Sequence, residues 1–261
     1  MNSSSELWDL RVDKIIADLK KGARADGRKV DDMRNVIITE DVSHNANGEA
    51  RVKLGQTEVI AGVKMILGEP YPDSPDQGSI SVGVELLPFA DPEFETGPPR
   101  ENAIELSRVV DRGIRESGAV DFKSLSITEG EKCWIGFVDI YPLNNDGNLF
   151  DACGIAALKA LQGAQLPKVE DGEIVKDEYA GKIKLNAQPI LNTFAKIGNV
   201  VVADPTISEE KAMNARFSVA VTEADQITAF QKGLSGSFSV SEIDRAIDVA
   251  LKNSKQIRKL L

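Results

Sequence analysis

The chain has 261 residues, 42% of them hydrophobic and 28% charged, a make-up that excludes disorder as its main state and supports a core without disulfide or metal staples. Its formal charge of −10 repels a polyanion over most of the surface. Any contact with nucleic acid must therefore be a local arginine stripe or be completed by a more basic partner.

Leu7, Leu10, Ile15, Ile16 and Leu19 recur near helical spacing, with Trp8 and Val12 at the borders, and predict an amphipathic helix over residues 5–20. Gly22 and the polar RADGRK stretch end it, and the core runs from about residue 30 to 261 as a single domain. RNVIITEDV and GEARVKLGQTEVIAGVKMIL predict a meander punctuated by Gly48 and Gly55. GEPYPDSPDQG is a surface loop, and SISVGVELL is the strand that leaves it. The Pro-rich PFADPEFETGPP then leads into a helix over 100–117. SLSITEGEKCWIGFVDIYPL predicts a hairpin around Glu129 and Gly130, followed by a small-residue helix over 148–162. Further short strands lie in 181–206 and 216–233, and Ser239 with Glu242 forms a capping box that opens the closing helix. The order of strands, helix, strands, helix in two roughly equal halves is α+β.

No GxGxxG, P-loop, HExxH, GxSxG or paired CxxC pattern occurs. Cys133 and Cys153 read as buried free thiols, and the single histidine, His44, sits in a polar turn and reads as solvated. No run of about 18 apolar residues is present, and the opening residues lack the continuous apolar centre of a signal peptide. The expected address is cytoplasmic, with no membrane partner, no metal and no cofactor.

On an ideal helix Arg108, Arg112 and Arg115 share one face, opposite Ala103, Leu106, Val110 and Ile114. That is a basic stripe on an acidic protein. Pairs of Glu105 with Arg108, Asp111 with Arg115 and Arg112 with Glu116 offer the alternative of surface ion pairs. Lys20, Lys21, Arg24, Arg28 and Lys29 follow a helix end, where cations complement free carbonyls, and KNSKQIRKLL at the other end has the same explanation.

GEARVKLGQTEVIAGVK, IELSRVVDRGIRES and VDIYPLNNDGNLFDACGIAALKAL, with RADGRKVDD before them and VVADPTISEE after, resemble the RNase PH family of phosphorolytic exoribonucleases in family order. The resemblance implies an RNase PH-like fold of two similar mixed sheet-and-helix halves. A phosphorolytic site needs helix N-terminal N–H groups and a cation beside the phosphate. Catalytic members carry Gly-Ser-Arg or Gly-Thr-Arg there, whereas this chain has Gly147, Asn148 and Leu149. The turn should still offer its N–H groups, but without a charge-assisted contact. Glu101 and Asn102 stand about where active relatives have basic residues. Asp204 and Glu210 stand for a family pair of aspartates. The alternative for them is a turn aspartate before Pro205 and a solvated carboxylate.

Together these features resemble the degenerate, non-catalytic ring subunit of the archaeal exosome, with no catalytic residue of its own. The short chain without long extensions favours that type over its eukaryotic counterparts. The resemblance implies a trimer of heterodimers with a catalytic RNase PH-type subunit. It also implies cap subunits with S1-type and KH-type domains, and single-stranded RNA contacted by Arg108 and Arg112, with Arg115 beside them. The alternative is a self-sufficient phosphorolytic 3′-to-5′ exoribonuclease that takes its cation from Arg100 or Lys159.

Overall fold

In the computed structural model, which describes residues 3–40, 42–170 and 172–261, the opening helix α1 spans Ser3–Lys20. Leu7, Trp8 and Leu10 of the expected stripe lie outside the residues whose side chains are described. Val12, Ile15, Ile16 and Leu19 pack on Ala195, Ile197 and Val202 of the second half.

The meander forms as β1 (Val36–Thr39), β2 (Gly48–Leu54) and β3 (Thr57–Gly68), antiparallel throughout. Every second residue of β2 is buried, the pattern of a sheet with one face on the core. Gly55, at φ +61°, makes the tight turn between β2 and β3. After the Pro-rich loop, β4 (Ser79–Val84) joins the sheet, and α2 spans Glu101–Glu116. A short 3-10 turn then leads to the predicted hairpin, β5 (Ser126–Thr128) and β6 (Lys132–Asn144). The first sheet reads β1-β2-β3-β6-β4, with β4 parallel to β6.

The small-residue helix α3 (Leu149–Gly163) lies against this sheet. Its Ala, Cys and Gly content permits close approach. A Cβ on Gly48 would stand 2.3 Å from the Ala160 carbonyl oxygen, so β2 can pass α3 only with glycine there. The same core cluster takes in Ile190, Leu191 and Ala220 of the second half, so both halves meet on α3.

A hairpin of β7 (Gln165–Glu170) and β8 (Glu173–Lys182) follows, which the sequence pattern did not predict. Its β8 strand is exposed almost throughout and carries no apolar alternation to signal it. The second sheet, in the order β10-β9-β11-β12, consists of β9 (Ile190–Ile197), β10 (Val200–Ala203), β11 (Ala215–Val221) and β12 (Ile227–Gly233). Between β10 and β11 lies α4 (Ile207–Ala212), and α5 (Val240–Ile257) closes the chain. The predicted capping box forms at α5, with the Glu242 N–H on Ser239 Oγ and the Ser239 N–H on Glu242 Oε2. Its apolar side meets Phe194 and Phe217 through Ala246, Val249 and Ala250.

Cys133 and Cys153 are buried free thiols, and His44 is exposed in a turn. Burial pushes the Cys153 thiol above its ordinary range.

Candidate functional site

The turn from β6 into α3 has two consecutive residues in the left-handed region, Gly147 at φ +85° and Asn148 at φ +57°. At Gly147 a Cβ would lie 2.4 Å from the Thr206 carbonyl carbon, because the turn is pressed onto the segment that opens α4. Asn148 caps α3, its Oδ1 accepting from the Asp151 N–H at 3.4 Å. The expectation that these amides remain free to hold an anion is corrected by two contacts. The Gly147 N–H donates to Asn145 Oδ1 at 3.1 Å, and the Asn148 N–H donates to Glu210 Oε1 at 2.8 Å. Leu149 is half-buried and packs on the core, so it brings no charge to the turn.

Glu210 is therefore not a solvated carboxylate. Its carboxyl group is turned inward, and burial pushes it up to about 7 against the opposing pull of the Asn148 N–H, Arg216 and Arg34. The amide donor at the start of α3 is thus already taken by a carboxyl oxygen of the chain itself.

Asp204 is likewise not a simple solvent-facing turn residue. It precedes Pro205 at φ +47° but is 1% exposed. Five N–H donors converge on its two oxygens. Oδ1 accepts from Arg34 Nη2 and Asn148 Nδ2, both at 2.7 Å. Oδ2 accepts from the Arg34 backbone N–H at 2.8 Å, and from Arg34 Nε and Arg28 Nη1, both at 2.9 Å. Burial alone would raise this carboxyl, but the hydrogen bonds and charge of Arg34 hold it below the usual carboxylate range. Arg34 also donates to the Asp146 carbonyl at 2.8 Å and the Gly147 carbonyl at 3.0 Å. A guanidinium thus reaches the turn, but it binds the carbonyls and is matched by Asp204. The other proposed cations lie elsewhere: Arg100 pairs with Glu95, and Lys159 pairs with Glu40 and the Leu261 carbonyl.

Deeper still, Asp151 is 1% exposed, and burial pushes its carboxyl up to about 7 despite donation to Oδ2 from Asn148 Nδ2 and the Thr193 N–H. The RADGR piece, for which the family resemblance implies a part in structure or assembly rather than RNA contact, is built into the fold. Arg24 is 5% exposed and grips Glu209 with Nε and Nη2, while Nη1 donates to the Ala203 carbonyl and Nη2 also to the Asp204 carbonyl. Arg258 near the C-terminus likewise donates to the Gln188 and Val221 carbonyls rather than to its own helix end.

On α2 the arginine stripe divides. Arg115 pairs with Asp111, donates to the Ile80 carbonyl at 3.0 Å and lies 5.4 Å over the Phe122 ring. It is committed to the first sheet. The other two expected intrahelical pairs do not form among the described residues. Glu105 turns instead to Arg216 and Gln231, and Arg112 donates to Gln231 Oε1 at 3.0 Å. Arg108 is exposed with no ion-pair partner among the described residues. Arg108 and Arg112 line one groove of about 300 Å³ with Ile104, Glu105 and Gln231. Glu101 lines it too, and with Asn102 it also lines a second groove beside the start of α2.

Arg34, Arg216 and Gln231 carry much of this arrangement, and no local motif marks them, whereas Arg28 lies in the RADGR piece. Each acts on residues far away in the chain, so its role depends on tertiary packing.

Models of the 3′ exoribonuclease family match the chain twice, domain 1 over residues 32–167 and domain 2 over residues 187–253. The chain is 48% identical to the exosome complex component Rrp42 of Thermococcus kodakarensis, covering 99% of this chain and 97% of that one. The Methanopyrus kandleri protein of the same name is 46% identical, covering 94% of this chain and 93% of that one. Among solved structures, a chain of the Archaeoglobus fulgidus exosome with RNA bound to the active site superimposes with a TM-score of 0.90. It is 41% identical, over 97% of this chain and 98% of that one.

Proposed function

The chain belongs to the 3′ exoribonuclease family, and from that premise we propose that it is a non-catalytic subunit of an archaeal exosome ring, a 3′-to-5′ exoribonuclease complex. It acts as one RNase PH-like domain, a reading supported by the shared packing of both halves on α3. In the cytoplasm it alternates with a catalytic RNase PH-type subunit as a trimer of heterodimers, which cap subunits with S1-type and KH-type domains complete. An acidic chain attracts a more basic partner, and the interface exceeds the ~1,600 Å² usual for stable complexes.

One observation carries the non-catalytic reading: Glu210 fills the amide of Asn148 while Leu149 supplies no cation. A phosphorolytic centre must bind an oxyanion there, and an internal carboxyl competes for the same donor. The chain's contribution to the reaction is structural support for the neighbouring active site and an RNA path. Arg108 and Arg112 meet phosphate and ribose there without reading bases, as a sequence-tolerant complex requires. The distribution of partners on α2 supports these two and sets Arg115 aside.

The test is RNA shortening with and without inorganic phosphate, by the purified chain, by the active-type partner and by the two co-purified. The chain alone is expected to be inactive under both conditions, and the co-purified ring to shorten RNA only with phosphate. Phosphate-dependent shortening by the chain alone would overturn the reading and restore the self-sufficient enzyme.

A further inference from the structure

We propose that Gln231 is a positioning residue for Arg112, holding its guanidinium in the α2 groove through a relay anchored on the half-buried pair of Glu105 and Arg216. The proposal rests on the RNA path argued above. It adds a reason why a strongly acidic chain keeps two arginines unneutralised on a helix that also carries Glu101, Glu105, Asp111 and Glu116.

The relay begins at β11. Arg216 is 8% exposed and stacks 4.1 Å over the Phe150 ring in the first turn of α3, while its Nη2 donates to Glu105 Oε1. Glu105 is thereby drawn away from Arg108, the partner that helical spacing offers it. The same Glu105 oxygen accepts from Gln231 Nε2 at 3.2 Å. With its amide nitrogen committed, Gln231 presents Oε1 outward, and Arg112 Nη1 donates to it at 3.0 Å. The opposite amide orientation would set an NH₂ group against the guanidinium and the amide oxygen against Glu105. Both ends of the relay thus specify one orientation.

The choice of a neutral amide matters. A carboxylate at this position would still accept from Arg112, but it would lose the donation to Glu105 and cancel the charge that a phosphate needs. Glutamine uses one of five N–H donors and leaves the charge and the remaining donors free. An arginine held in place also loses less side-chain freedom when it binds than one that samples all its rotamers. Arg108 has no such anchor among the described residues, so the groove combines one fixed cation with one adaptable cation.

The experiment measures binding of a single-stranded RNA to the ring assembled with the active-type subunit, as a function of NaCl concentration. Gln231→Leu is expected to weaken binding about threefold to tenfold, the worth of one hydrogen bond, with the salt slope unchanged because the charge remains. Arg112→Ala is expected to reduce the slope by about 0.7, and adding Gln231→Leu to it should cost nothing further, because the two act as a unit. Gln231→Glu keeps an acceptor for Arg112 and cancels its charge while giving up the donation to Glu105, so it should lower the slope as Arg112→Ala does, and it tests the proposal even where the leucine variant fails to assemble.

Losses from Gln231→Leu and Arg112→Ala that simply add would overturn the proposal. So would wild-type affinity in Gln231→Leu beside a weakened Arg112→Ala, or an unchanged slope in Gln231→Glu. If Arg108→Ala/Arg112→Ala binds RNA as the wild type does, the RNA path itself fails and this role for Gln231 falls with it.

Discussion

The backbone N–H of Asn148 and the carboxyl of Glu210 meet at 2.8 Å, joining the N-cap of α3 to α4. Restoring a cation alone should therefore not restore an anion site. Leu149→Arg is expected to show no more thermal stabilisation by phosphate than by chloride at equal ionic strength. Leu149→Arg/Glu210→Ala frees the amide and should gain a phosphate-dependent rise in Tm. A phosphate response in the single variant would show that Glu210 is no obstacle.

Arg34 and Asp204 form a buried, two-pronged pair with side-chain exposures of 8% and 0%. Removing one partner leaves the other charge unmatched, which typically costs about 3–5 kcal/mol. Arg34→Ala should destabilise the chain by roughly the lower figure, because Arg28 still holds Asp204 Oδ2. Urea unfolding of Arg34→Ala, Asp204→Asn and the double variant measures the pair, and the two losses should fall well short of adding.

The pH dependence follows from Asp151 and Glu210, both pushed up to about 7. The folded chain keeps protons that the unfolded chain releases from the ordinary carboxylate range upward. Their contribution is thus complete below that range and is lost as pH rises through about 7. Asp204, held below its ordinary range, works in the opposite sense, and its contribution is lost only on acidification. Asp151→Asn, which keeps an acceptor oxygen, should flatten the fall in urea midpoint between pH 4 and 8. A slope equal to that of the wild type would show that Asp151 ionises freely in the fold.

The three arginines of α2 should separate by assay. Arg108→Glu/Arg112→Glu is expected to weaken RNA binding and degradation by the assembled ring and to flatten its salt dependence, with little change in Tm. Arg115→Ala should leave RNA binding unchanged and lower stability by about 1 kcal/mol, from the lost carbonyl contact and the ring contact with Phe122. Equal RNA defects in both variants would return Arg115 to the RNA path.

Most elements were legible because they rest on local rules. Alternating burial in β2 and β3, the capping box of α5 and the small residues of α3 are written in consecutive residues. The exposed β8 strand was not, since a hairpin without an apolar face leaves no periodic trace. The Gly147, Asn148 and Leu149 turn was visible, but its state was not: nothing between residues 149 and 209 announces that Glu210 comes back to occupy it. The arginine stripe was visible as a stripe, yet only packing against β4 and β12 divided Arg115 from Arg112.

The sequence alone determined where the chain turns, which faces are apolar, and that the turn into α3 carries leucine and no arginine, because these depend on residues a few positions apart. Tertiary structure decided which charges are cancelled and which stay free. Arg34 lies 170 residues from Asp204 and Gln231 lies 119 from Arg112, and the electrostatic state of such groups is set by neighbours that only folding brings within hydrogen-bonding distance.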